Sequence, residues 1–188
     1  MTALRLIVGL GNPGPDYERT RHNVGYWFAN ALADAARVQF SPDGKLHGES
    51  VRLGSGFGSA WLLKPSTFMN RSGQSVAAAL RYFKIEPEEM LVAHDDLDLP
   101  PGTARLKFDG GHGGQNGLRD LVAHLGHGRF HRLRLGIGHP GSRDKVTPWV
   151  LDDEAAILRA IDEAMGVLPL ALSGDFNEAM KRLHTSRD

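Results

Sequence analysis

The sequence predicts an α/β fold: one mixed, mostly parallel β-sheet with helices on both faces, in a single domain covering residues 1–188. Three observations carry this expectation. Short apolar runs alternate with stretches of helical period along most of the chain. One glycine-punctuated stretch, with Gly54, Gly56 and Gly58, joins two strand-like runs as a hairpin would, so some antiparallel pairing accompanies the parallel kind. A chain of 188 residues suits a single core, and no repeat or linker divides it.

The elements follow in order. Leu4–Leu10 is a short apolar run closed by glycine and proline, which reads as a buried strand. Val24, Trp27, Phe28, Ala31, Leu32 and Ala35 keep helical spacing and predict a helix over about 22–36. Leu46–Leu53 and Ala60–Leu63 read as the two strands of the hairpin. Val76, Leu80 and Phe83 mark a second helix that must stop before Pro87. Met90–Ala93 is a buried strand, and Thr103–Phe108 alternates like another. Leu118, Leu121, Val122 and Leu125 give a third helix, ended by Gly126. Leu133, Leu135 and Ile137 alternate with arginine and glycine, the pattern of a half-buried strand. A long helix holds Ile157, Ile161, Met165, Leu168 and Leu172, with a kink expected at Pro169. Asp175 and Glu178 form a capping pair that opens a last helix through Leu183.

Composition narrows the function. With 22 basic and 22 acidic residues the net charge is zero, which argues against a uniformly cationic nucleic-acid coat. The charge is nevertheless uneven. Between Thr103 and Lys145 there are eight basic residues (Arg105, Lys107, Arg119, Arg129, Arg132, Arg134, Arg143 and Lys145) against Asp109, Asp120 and Asp144. A local positive field on a neutral protein suits a phosphate-bearing partner gripped at one place, although a solvated charged face is the plainer alternative. The absence of cysteine excludes thiolate metal sites, disulfides and cysteine nucleophiles. Leu6–Leu10 is too short for the core of a signal peptide, and no 18-residue apolar run exists. A cytoplasmic protein without a membrane span is expected.

In folds of this class ligands gather beyond the carboxyl ends of strands. That rule selects the loops after Leu10, Leu63, Ala93 and Phe108. Gly9-Leu10-Gly11-Asn12-Pro13-Gly14 has the spacing of a dinucleotide-binding turn, but Pro13 and Pro15 remove donors and the helical pattern starts only near His22. The better reading is a tight turn that presents Asn12, or one that Asn12 merely completes. His22 follows Thr20, a helix N-cap candidate. In a first helical turn the dipole would keep its imidazole neutral and able to take a proton from water. Taken alone, it equally fits a surface histidine at a helix start. His94-Asp95-Asp96-Leu97-Asp98 follows a buried strand, where a carboxylate can orient a histidine. A metal site there lacks the usual ligand spacing. Phe68-Met69-Asn70 opens the second helix. Gly110-Gly111-His112-Gly113-Gly114-Gln115-Asn116-Gly117 opens the third, with five glycines whose ordering needs compensation. Asn12, Asn70 and Asn116 are uncharged amides suited to gripping a peptide main chain.

Together these segments resemble the bacterial peptidyl-tRNA hydrolase family. The matching stretches are Val8–Gly14, Thr20–Asn23, Lys64–Asn70, Leu91–Pro101, Gly111–Gly114 with Asn116–Leu118, and Phe130–Pro140, in order along nearly the whole chain. The resemblance implies hydrolysis of the ester joining a peptide to the terminal ribose of tRNA. It implies His22 as general base and Asp95 as the group orienting it. It implies Asn12, Asn70 and Asn116 around the substrate, with Tyr17 and Phe68 lining the cleft. Lys107 and Arg134 match the basic pair assigned to a tRNA phosphate. No metal or cofactor is implied, and the expected partner is the acceptor end of peptidyl-tRNA, met by a monomer. One departure is Gln115, where many relatives carry histidine; a packing or hydrogen-bonding role is expected there. Rival readings are a non-catalytic RNA-binding scaffold, a dinucleotide-dependent oxidoreductase on the Gly9–Gly14 turn, and a metal hydrolase built on His94, Asp95, Asp96 and Asp98.

Overall fold

A computed structural model describes residues 2–139 and 151–185. Arg143 and Lys145, counted in the basic segment, lie outside the described residues, as does Pro140 at the end of the last matching stretch. The strands are β1 (Leu6–Gly9), β2 (Ser41–Asp43), β3 (Gly48–Arg52), β4 (Trp61–Pro65), β5 (Met90–Asp96), β6 (Ala104–Phe108) and β7 (His131–Gly136). The α-helices are α1 (Val24–Ala36), α2 (Ser72–Phe83), α3 (Asn116–Leu125), α4 (Leu151–Leu172) and α5 (Phe176–Thr185).

All seven strands join one sheet in the order β2-β3-β4-β1-β5-β7-β6. Its centre is parallel, with β1 between β4 and β5 and β7 beside β5. The flanks are antiparallel: the β3–β4 hairpin with β2 on one side, and β6 against β7 on the other. The central strands are buried on both faces, so alternate residues feed two cores. Ile7, Leu91, Leu133 and Leu135 pack with Phe28 of α1, Ile157 and Ile161 of α4, and Phe176 of α5. Leu6, Val8 and Val92 pack on the opposite face with Val76 of α2 and Leu118 and Leu121 of α3. Each fully buried side chain of this size contributes about 2 kcal/mol. The single-domain α/β architecture expected from the sequence is therefore the one observed. Among the described residues no helix is long and apolar enough to cross a membrane.

Several boundaries differ from expectation for identifiable reasons. Residues 21–23 form a 3₁₀ turn, and α1 begins only at Val24. Thr20 stands before that turn with extended backbone, but its hydroxyl donates to the Tyr17 carbonyl (2.8 Å) instead of capping. β2 is three partly exposed residues around Pro42, without an apolar signal. β5 continues through Asp96, so Asp95 belongs to the strand and not to the turn after it. β7 is buried on both faces, because Arg132 is 1% exposed. α4, by contrast, runs through Pro169 to Leu172 as its helical spacing predicts. Asp175 does cap α5, accepting from the Glu178 N–H at 3.4 Å.

Two glycines bring α1 onto the sheet. A side-chain carbon on Gly25 would meet the carbonyl oxygens of Leu10 and Ala93 at 2.4 and 2.6 Å, and one on Gly9 would meet the Gly25 oxygen at 2.3 Å. Gly9 at the end of β1 and Gly25 in the first turn of α1 thus allow a backbone-to-backbone approach that seats the start of α1 over the ends of β1 and β5.

Candidate active site

That seating delivers His22 to the carboxyl end of β5. Its Nδ1–H donates to Asp95 Oδ2 at 2.8 Å, across 73 positions of sequence. The Asp95 side chain is 6% exposed and that of His22 60%, so a buried carboxylate holds an accessible ring. The bond raises the His22 pKa above its ordinary 6.5, against the opposing effect of burial. This corrects the expectation from helix position. A three-residue 3₁₀ turn has little dipole, whereas a carboxylate in contact favours the charged ring directly. With Nδ1 committed to Asp95, the neutral ring keeps its lone pair on Nε2 and is built to accept a proton there.

The ring and the carboxylate face a cavity of about 630 Å³. Its lining includes Asn12, Asn116, Lys107 and Arg134 together with residues of the glycine loop. Tyr17, Phe68 and Asn70 are not part of that lining. Tyr17 and Phe68 are exposed and meet edge to face, with centroids 6.3 Å apart. Asn70 is exposed in the 3₁₀ turn 69–71 that precedes α2.

Asn12 is more than a free amide at the rim. Its Oδ1 accepts the Met69 N–H at 2.7 Å, which ties the β1 loop to the segment carrying Phe68 and Asn70. Its own backbone is gripped by buried Asn23, whose Nδ2 donates to the Asn12 carbonyl (2.9 Å) and whose Oδ1 accepts the Asn12 N–H (2.8 Å). Asn23 went unnoticed in the sequence beside His22. The local sequence shows only a polar residue at the foot of an apolar helical stripe, which does not tell that it is buried.

The basic wall has two kinds of member. Lys107 is exposed. Arg134 Nε donates to Asp96 Oδ2 at 2.7 Å, so its charge is partly offset. Arg132, across from Lys107 in the β6–β7 register, has a different task. It is buried beneath the glycine loop, where its guanidinium donates to the carbonyls of Gly110 (2.6 Å), Gly128 (3.0 Å) and Gly111. It also lies over the Phe130 ring. Gly113 and Gly114 adopt φ of 59° and 85°, which side chains disfavour. The compensation for ordering the glycines is thus a buried guanidinium on their carbonyls. The alternation of leucine with arginine predicts a half-buried strand, whereas Arg132 is buried.

Gln115 closes the arrangement from the other layer. It is the N-cap of α3, its Oε1 accepting the Leu118 N–H at 2.7 Å, while its Nε2 donates to Asp95 Oδ1 at 2.9 Å. The neighbouring His94 is buried; its Nδ1 contacts the Asp95 carbonyl at 2.8 Å, and burial lowers its pKa. Among the described residues no three His, Asp or Glu side chains converge as a metal-binding group.

A sheet covered on both faces, with a histidine–carboxylate pair at the carboxyl end of a central strand facing a cavity, defines the class: an α/β protein with a polar strand-end cleft. The chain matches the family Peptidyl-tRNA hydrolase over residues 6–188. It is 63% identical to the peptidyl-tRNA hydrolase of Xanthomonas axonopodis pv. citri over 192 residues, covering all of both chains. The enzyme of the same name from Stenotrophomonas maltophilia is also 63% identical over the full length of both. The crystal structure of the peptidyl-tRNA hydrolase from Acinetobacter baumannii superposes with a TM-score of 0.91 at 45% identity, over 97% of this chain and 95% of that one. The chain belongs to the peptidyl-tRNA hydrolase family, enzymes that hydrolyse the ester bond of peptidyl-tRNA.

Proposed function

We propose that His22 is the general base of this hydrolysis and Asp95 the group that orients it. The observation carrying the assignment is the 2.8 Å bond between a buried carboxylate and an accessible imidazole at the cavity. Neutral His22 takes a proton from water at Nε2 as the water oxygen bonds to the ester carbonyl carbon. The side-chain amide of Asn116 or Asn70 donates to the developing oxyanion. The tetrahedral intermediate then breaks its bond to the ribose oxygen, which leaves with the proton returned by His22. The products are a peptide carboxylic acid and a tRNA with a free terminal hydroxyl.

Asn12 supports the asparagine-bearing segment, and Tyr17 with Phe68 flanks the peptide. Lys107 and Arg134 take a phosphate of the acceptor arm. No step in this scheme draws on a metal or cofactor. In this scheme the enzyme acts as a monomer in the cytoplasm, where translation makes its substrate. The test is single-turnover hydrolysis of an N-acetylaminoacyl-tRNA by wild type and His22→Ala. The variant should bind the tRNA but lose turnover; wild-type turnover would remove His22 from the base role.

A further inference from the structure

We propose that Gln115 is a positioning residue of this site, holding Asp95 in line with His22 and tying that alignment to the start of α3. The inference rests on the His22–Asp95 reading and adds to it. The two Asp95 carboxylate oxygens are divided: Oδ2 accepts from His22 and Oδ1 from Gln115. The glutamine amide is fixed at both ends. A carboxylate only accepts and a backbone N–H only donates, so Nε2 must face Asp95 and Oε1 must face Leu118. The dyad is thereby pinned from both layers of the fold, His22 arriving with α1 and Gln115 with α3.

The chemical type matters as much as the reach. An amide does not titrate, so this bond to Asp95 persists while His22 changes charge. A neutral imidazole at 115 would match it, donating from one nitrogen and accepting from the other. A protonated imidazole would lose the acceptor and release the helix cap. The surrounding ionisable groups have other engagements or positions. Arg134 pairs with Asp96, Arg21 with Asp153, and His94 with the Asp95 backbone, while Lys107 and His112 line the cavity further along.

The test is the pH profile of single-turnover hydrolysis of N-acetylaminoacyl-tRNA by wild type, Gln115→Ala and Gln115→His, with tRNA affinity measured alongside. In Gln115→Ala the rate should fall on the order of 10- to 100-fold with affinity unchanged. Its acid limb should move down toward the ordinary histidine value, because a loosened Asp95 supports His22 less. Gln115→His should approach the wild-type rate at high pH and lose it at low pH through an added ionisation. Should Gln115→Ala fail to fold, Gln115→His carries the test alone. An acid limb that stays in place or rises in Gln115→Ala, or a wild-type profile in Gln115→His, overturns the proposal. His22→Ala in the same assay keeps the two ideas apart, since turnover there would defeat the base assignment whatever position 115 does.

Discussion

Asn23 holds Asn12 by both backbone groups, and Asn12 in turn holds the Met69 N–H. Two asparagines thus link the start of α1 to the segment before α2. Replacing Asn23 by Asp would put an acceptor against the Asn12 carbonyl in a buried place. The variant should lose about 1–3 kcal/mol of stability, read as a lower urea midpoint at unchanged slope. An unchanged midpoint would show the clamp to be dispensable.

The His22–Asp95 bond sets the pH dependence. Because the pKa of His22 is raised in the folded protein, neutral imidazole predominates only at a pH above 6.5, and with His22 as the base activity should fall as pH drops through that raised value. The acid limb of kcat/KM should therefore have its midpoint above 6.5. Asp95→Asn should lower turnover by about 10³-fold and move the limb down, since neither the charge nor the preferred tautomer is then enforced. A limb that stays in place in this variant would contradict the assignment.

Salt dependence separates the two cations of the wall. Lys107→Ala should reduce the slope of log affinity against log salt by about one, the loss of one phosphate contact. Arg134→Ala should reduce it less, because Asp96 already offsets that charge. Equal slopes for the two variants would show that Asp96 does not moderate Arg134 in the complex.

Acid stability has its own source. His131 is buried with its ring stacked on Phe176 at 3.5 Å, and burial lowers its pKa to about 4. Below 6.5 the unfolded chain takes up a proton that the folded chain refuses. Stability contributed by this group therefore declines from pH 6.5 to about 4, by ~3 kcal/mol in total. His131→Phe keeps a ring against Phe176 and removes the ionisation, so its urea midpoint should vary less between those two pH values. Parallel curves for wild type and variant would locate the acid sensitivity elsewhere.

Strand and helix identity were legible where one physical signal dominated. The all-apolar centre of β1 and the helical stripe of α3 needed no tertiary information. β2 was not legible, since Ser41-Pro42-Asp43 becomes a strand only by lying against β3. The family resemblance pairs His22 with Asp95, and the two are in contact, but the linkages around them were not legible. Nothing local says that Asn23 is buried, or that Arg132 in an alternating strand turns inward to hold glycine carbonyls. A helix start by itself favours a neutral His22, but it is a local feature, whereas the carboxylate that governs the ring arrives from β5.

The outer rim of the sheet at β6 has a further consequence. Its Leu106 N–H is met by Nε2 of His184 on α5 at 3.1 Å. Only an uncharged ring can accept there, and burial with nearby Arg105 and Arg134 keeps His184 below its ordinary pKa. α5 thus satisfies one outward-facing N–H of the edge strand β6, at a rim where unpaired strand groups can template another chain. Charging that imidazole would cost Leu106 its acceptor, while Phe176, Ala179 and Leu183 keep α5 seated on the core.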